Sequence, residues 1–254
     1  MSPLTLSDTA LYALRLGDDT LVLSHRLAEW SSRAPALEED IALTNIGLDL
    51  LGQARSLLTY AGEVEGAGRT EDDLAYLRPE NEFTNCQLVE LPNGDFGVTM
   101  ARLLFFSAYQ LELYRRLARS TDATLAAVAA KGVKEVTYHV DHAAGWVIRL
   151  GDGTDESHRR MQAGVDRLWP FAHELFAADE VAGRLAANGA GVDPSDLKAV
   201  WDERIVCVLA DATLERPADG WRPSGGRRGV HSEHLGFLLA EMQHLHRSYP
   251  GATW

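Results

Sequence analysis

From Ala129 to Leu150, apolar residues recur at alternating steps of four and three: Ala129, Val133, Val136, Val140, Ala143, Val147 and Leu150. That 3.5-residue period is the seam of closely aligned antiparallel helices, and it constrains the fold more than any other feature of the chain. A strand needs alternation at every second residue, and no such run of any length occurs. The stretch from about Glu38 to Ala61 follows the same rule. Leu43, Ile46, Leu50, Ala54, Leu57 and Ala61 form one face, and Leu48, Leu51 and Leu58 broaden it. A helix apolar over so wide a face is expected inside a bundle, not on its surface.

Turn and cap signals divide the rest. Ser7 is placed to cap a short first helix ending near Leu16. Gly17-Asp18-Asp19 then reads as an interruption before a second stretch carrying Leu21, Leu23, Leu27 and Trp30. Residues 62–68 read as a break and 79–92 as mostly irregular. Asp95 is an N-cap for a long helix to about Arg119, and Ser120-Thr121-Asp122 caps the next. Thr154 or Asp155 starts another, where Pro170 predicts a kink or a break. Asp193-Pro194-Ser195-Asp196 caps a helix through about Leu214. A loop from Glu215 to Gly229 precedes a last helix over about Ser232 to Arg247. The expectation is one all-α domain over residues 1–254, with four long core helices and several shorter ones.

Charge narrows the partners. Asp and Glu number 37 against 24 Lys and Arg, a formal charge of -13. So acidic a chain repels phosphate backbones and anionic lipid, so neither a nucleic acid nor a membrane surface is expected as partner. No stretch approaches the ~20 apolar residues of a membrane span. The N-terminal MSPLTLSDTALYALRLGDD reaches acidic residues before a signal-type apolar run develops. Cys86 and Cys207 make no CxxC pair. A cytoplasmic protein with two reduced thiols is expected.

A bundle of this size can cage a carboxylate-bridged metal pair if two helices each give a Glu and two others each give Glu-x-x-His. Residues three apart share a helix face, so the carboxylate bridges while the imidazole binds terminally. Glu-x-x-His occurs once, at Glu241 and His244 in the last helix, and Asp155 with His158 is a relaxed form near a helix start. Neither lies on the long core helices. Glu135, His139 and His142 share one stripe that could bind a single metal, and equally make a boundary row of amphipathic residues. Asn45, Asp49, Gly52 and Ser56 also align, as a lost metal site or as a polar face in water or against a partner. No Gly-x-Ser-x-Gly elbow, phosphate-binding glycine loop or recognisable nucleophile setting occurs. In this acidic chain Gly225-Gly226-Arg227-Arg228-Gly229 is the one locally basic element. Its arginines could grip a phosphate or carboxylate bidentately, or form a mobile surface loop.

Several segments resemble the C subunits of bacterial phenylacetyl-coenzyme A epoxidases. They are Leu14-Arg15-Leu16-Gly17-Asp18, Leu27-Ala28-Glu29-Trp30, and the distinctive block Asn45-Ile46-Gly47-Leu48-Asp49-Leu50-Leu51-Gly52-Gln53-Ala54-Arg55. Further on come Glu90-Leu91-Pro92-Asn93-Gly94, Lys134-Glu135 with Tyr138-His139, and Leu150-Gly151-Asp152-Gly153-Thr154. The C-terminal part adds Gly229-Val230-His231-Ser232-Glu233-His234-Leu235-Gly236 and Leu239-Ala240-Glu241-Met242-Gln243. The likeness runs in order along essentially the whole chain. It implies a ferritin-like four-helix core with additional short helices. It also implies a subunit without activity or metal of its own, paired with a ferritin-like catalytic A subunit that carries a di-iron centre. That complex converts phenylacetyl-CoA to its ring epoxide with O2, aided by a small accessory subunit and a flavin and iron–sulfur reductase. Because they stand isolated in an acidic chain, Arg227 and Arg228 are expected at the partner interface or near the CoA phosphates. The competing expectation is a self-sufficient di-iron oxygenase or a ferritin-like iron-binding protein.

Overall fold

The computed structural model describes residues 7–252. The N-terminal reading above rests partly on residues 1–6, which lie outside that range. Among the described residues every regular element is helical. Four long helices form the core: α1 (Asp8–Ala28), α2 (Leu37–Glu65), and, after the short α3 (Glu71–Tyr76) and α4 (Gln87–Glu90), α5 (Phe96–Leu117) and α6 (Ala123–Gly151). α1 lies along α2 and α5 along α6, each pair joined by a short connection that makes them antiparallel neighbours. α2 closes the bundle against α6. α7 (Asp155–Ala172) covers the outer side of α5. The shorter α8 (Glu180–Ala187) and α9 (Lys198–Asp211) follow, and α10 (Glu233–Ser248) ends the described chain against α3 and α4. The architecture is an all-α, ferritin-like helical bundle.

The sequence caps hold. Ser7, Asp95 and Asp122 accept from Ala10 N–H, Val98 N–H, and Thr124 and Leu125 N–H, while Thr154 and Ser157 form a reciprocal capping box. Each satisfies donors that a helix start otherwise leaves bare. The α6 seam is buried at Ala129, Val136, Val140, Ala143 and Val147. It meets α5 at very short range: a Cβ on Gly132 would fall 2.5 Å from the Tyr114 ring. Only glycine permits that approach, which seats the Tyr114 hydroxyl in the middle of the bundle.

Three expectations are met differently or only in part, each for a physical reason. Gly17-Asp18-Asp19 does not interrupt α1, which runs unbroken from Asp8 to Ala28. Both aspartates are buried and neutralised from afar. Asp18 accepts from Arg78 Nη1 at 3.0 Å and from Thr84 N–H and Oγ1, and Asp19 pairs with Arg227. Pro170 does not break α7, which continues to Ala172 before a 3₁₀ turn. Close to the helix end, its missing N–H costs one bond. The helix expected from Asp193 to Leu214 divides into a 3₁₀ turn (Pro194–Leu197) and α9, which stops at Asp211.

Candidate partner interface and the interior polar layer

α2 carries two apolar stripes. The inner one is fully packed, with Leu43, Ile46, Leu50, Ala54 and Leu57 no more than 1 % exposed. The outer one is Leu37, Ile41, Leu48 and Leu51, exposed by 73, 53, 59 and 42 %. Thr44 and Arg55 complete it, also exposed, so that positions 37, 41, 44, 48, 51 and 55 step by four and three. This corrects the reading of Leu48 and Leu51 as an extension of the core face. They lie about 130° around the helix from the inner stripe, by the 3.6-residue period. Leu58, the third residue assigned to that extension, is buried. Scattered exposed leucines need no explanation, but a continuous row at coiled-coil spacing has the form of a docking seam. Asn45 and Ser56, exposed and polar, flank it with Gly52 between them, where a Cβ would meet nothing within 4 Å. Asp49, the fourth member of the polar line in the sequence, turns instead toward His139 of α6.

The stripe Glu135, His139, His142 faces α2 of the same chain. His139 Nε2 lies 3.1 Å from Asp49 Oδ2, His142 Nε2 lies 3.3 Å from Glu39 Oε2, and Glu135 accepts from Gln53 Nε2 at 2.9 Å. Each acid or imidazole thus meets a different α2 residue. Burial pulls both histidines below their ordinary pKa, and the facing Asp49 and Glu39 oppose this without reversing it. Both are neutral at pH 7, as the low dielectric of a helix interface favours.

Further inward, between α2 and α5, the polar groups are amides and a phenol. Gln110 Nε2 donates to Gln53 Oε1 at 2.9 Å, and the Tyr114 hydroxyl donates to the same oxygen at 3.2 Å. Gln53 links this cluster to Glu135. Burial pushes the Tyr114 phenol well above its usual value, so it remains a neutral donor. These neutral side chains bond one another and connect, through Gln53, to the Glu135 carboxylate. Among the described residues no group of three or more His, Cys, Asp or Glu is arranged to hold a metal ion. Glu241 and His244 are exposed on α10, and His158 Nδ1 is tied to Gly151 O at 2.7 Å.

The basic loop is tied to the bundle by several hydrogen bonds. Glu174 accepts from Gly225 N–H and Gly226 N–H at 2.8 Å. Arg227 donates to both Asp19 oxygens, at 2.9 and 2.7 Å, and to Thr84 O at 3.0 Å. Its fork is thus engaged largely from within the chain, with the side chain 17 % exposed. Arg228 alone stays exposed. Gly229, at φ 73°, turns the chain against the Asn81 carbonyl. The sequence did not reveal His231: it bonds Glu90 Oε2 at 2.7 Å and Phe83 O at 2.9 Å. Its partners lie more than 140 residues away, so no local pattern signals it.

Comparison with known proteins places the chain in a family. The profile of the family described as "Phenylacetic acid catabolic protein" matches residues 2–254. The chain is 50% identical over 243 residues to the C subunit of the 1,2-phenylacetyl-CoA epoxidase of Escherichia coli (strain K12), covering 96% of this chain and 98% of that protein. With a match along its whole length and a relative that similar, this chain belongs to the phenylacetic acid catabolic protein family.

Proposed function

We propose that this chain is a non-catalytic structural subunit of a phenylacetyl-CoA epoxidase, which pairs with and steadies the di-iron catalytic subunit in aerobic phenylacetate degradation. The observation that carries the reading is that, among the described residues, no three His, Cys, Asp or Glu are grouped to hold a metal ion, while the polar groups between α2 and α5 are the amides of Gln53 and Gln110 and the phenol of Tyr114. The chain then needs no cofactor of its own, and the iron belongs to the partner. The small accessory subunit and the reductase join the same assembly. The reduced state of Cys86 and Cys207 suits a cytoplasmic setting.

The outer α2 seam is where the catalytic subunit docks. A row at 3.5-residue spacing selects a helix crossing at a shallow angle, the geometry a related bundle presents. Rigid helix-on-helix contact would steady carboxylate-bearing helices while phenylacetyl-CoA binds near the junction. Arg228 is the one residue of the basic loop still free to contact the partner or a CoA phosphate.

Replacing both Leu48 and Leu51 with Glu tests this docking. Capture of the co-expressed catalytic subunit is expected to weaken by about 100-fold, as two leucines lose roughly 1.5 kcal/mol each of burial. The thermal melt of the chain itself is expected to change little, because both side chains are exposed in it. Undiminished capture by the double variant would refute the assignment of this face.

A further inference from the structure

The outer seam of α2 carries a feature that its spacing alone does not require. Thr44, Gly47, Leu48 and Leu51 stand at i, i+3, i+4 and i+7, the four corners of a hole that accepts one knob in coiled-coil packing. An open cavity of about 220 Å³ lies there, walled on its far side by His25 and Ala28 of α1. Gly47 lets α2 pack closely on α1 at the floor of this cavity, where a Cβ would touch Leu27 Cβ and the Ser24 carbonyl at 3.6 Å. The chain's own knob for such a hole is Leu48, at the middle of the seam and 59 % exposed.

Charge along the seam is polarised. At the α2 N-terminal end stand Glu38 and Asp40, and at the other end stands Arg55. Two such seams side by side in the same direction would set acid against acid. Turned antiparallel about Leu48, they set Glu38 and Asp40 of one copy near Arg55 of the other, on either side of the axis. The Arg55–Glu71 contact is exposed on the arginine side, so Arg55 can exchange it at small cost.

We propose that, in the absence of the catalytic subunit, this face is covered by a second copy of the chain. The two α2 helices lie antiparallel across a two-fold axis at Leu48, and each Leu48 enters the other copy's hole. The pairing rests on the docking face assigned above and deepens it: the same seam serves a copy of the chain until a related bundle displaces it. An isologous contact of this kind closes on itself, so it stops at the dimer. One helix-on-helix seam is smaller than the roughly 1,600 Å² of a standard interface. The dimer is therefore weak and exchangeable, as a placeholder must be.

Sedimentation of the isolated full chain over a concentration series tests the pairing. Wild type is expected to pass from monomer to dimer. Leu48→Glu and Leu48→Lys are each expected to weaken that step by about 100-fold or more while keeping the wild-type melt, since both bury a charge at the axis. Arg55→Glu alone and Glu38→Lys with Asp40→Lys are each expected to weaken it several-fold, and the three together to restore it. A wild-type chain that stays monomeric throughout overturns the proposal, as does a dimer indifferent to Leu48. A Leu48-dependent dimer that the charge reversals leave untouched overturns the antiparallel arrangement. A monomeric wild type that still captures the catalytic subunit through Leu48 and Leu51 removes this inference alone and leaves the docking assignment standing.

Discussion

Arg227→Ala is expected to destabilise the chain by about 3–5 kcal/mol, whereas Arg228→Ala, one residue on, is expected to stay within about 0.5 kcal/mol of wild type. The difference follows from what each side chain touches. Asp19 sits inside α1 with its carboxylate 2 % exposed, and both its oxygens accept from Arg227. Among the described residues its other donor is the Cys86 amide, at 2.8 Å. Burial opposes the Arg227 charge, and the Asp19 carboxylate outweighs that and keeps the guanidinium protonated. Deleting the guanidinium strands an anion in a low-dielectric interior, which costs more than the pair contributes when intact. Arg227→Lys keeps the charge and loses the fork, so it should fall between the two. Part of the Arg227→Ala deficit should vanish as the medium is made acidic, where Asp19 can be neutral. Urea unfolding followed by circular dichroism reads all of this. A loss under about 1 kcal/mol in Arg227→Ala would contradict the buried-pair account.

The second large effect is expected at Glu90 and His231, which bind the segment before α10 to the bundle. Both ring nitrogens of His231 face acceptors, the Glu90 carboxylate and the Phe83 carbonyl. A neutral imidazole has one N–H, so both contacts are hydrogen bonds only when the ring is doubly protonated. Burial disfavours that charge. The hydrogen bond and charge of Glu90, helped by the Phe83 carbonyl and by Glu80, prevail and raise the His231 pKa. Glu90 is fully buried and also accepts from Asn85 Nδ2 at 2.8 Å and from Ser232 N–H. The Arg26 guanidinium bonds the Glu90 main-chain carbonyl rather than its carboxylate. Glu90→Ala therefore leaves a buried cation unpaired and should cost about 3–5 kcal/mol.

The pH dependence has a definite sign. The folded state binds the His231 proton more tightly than the unfolded chain, whose histidine titrates near 6.5. The stabilisation is complete below about 6.5 and is lost as pH rises through the higher folded value. Wild-type stability should thus decline on the alkaline side of neutrality, with amide exchange in α10 quickening there. His231→Gln should flatten that part of the profile. A wild-type profile that is level or rising from about pH 6.5 to 9 would contradict a protonated His231.

Periodicity discloses the helices but not what each face meets. The α6 seam and the inner α2 stripe can be read directly, because apolar spacing encodes burial. Leu48 and Leu51 read as core because an exposed apolar stripe has the same helical spacing as a buried one. Asp18 and Asp19 resemble a helix break because local rules assume that charges seek water. Their partners, Arg78 and Arg227, lie 60 and 208 residues away. The same distance makes Arg227 look like a free cation in a mobile loop. Gln53, Gln110 and Tyr114 have no signature, since isolated amides and phenols on separate helices form no motif. The stripe Glu135, His139 and His142 is visible as a row, and only the packing of α2 on α6 gives each member its own partner.

Whether this bundle holds redox metal is the point on which the assigned role turns. Metal analysis of the isolated chain, purified from iron-supplied cells and again after iron and reductant are added in vitro, decides it. With no three candidate ligands grouped among the described residues, iron far below one atom per chain is expected. Two tightly bound irons per chain would contradict the role of a metal-free partner.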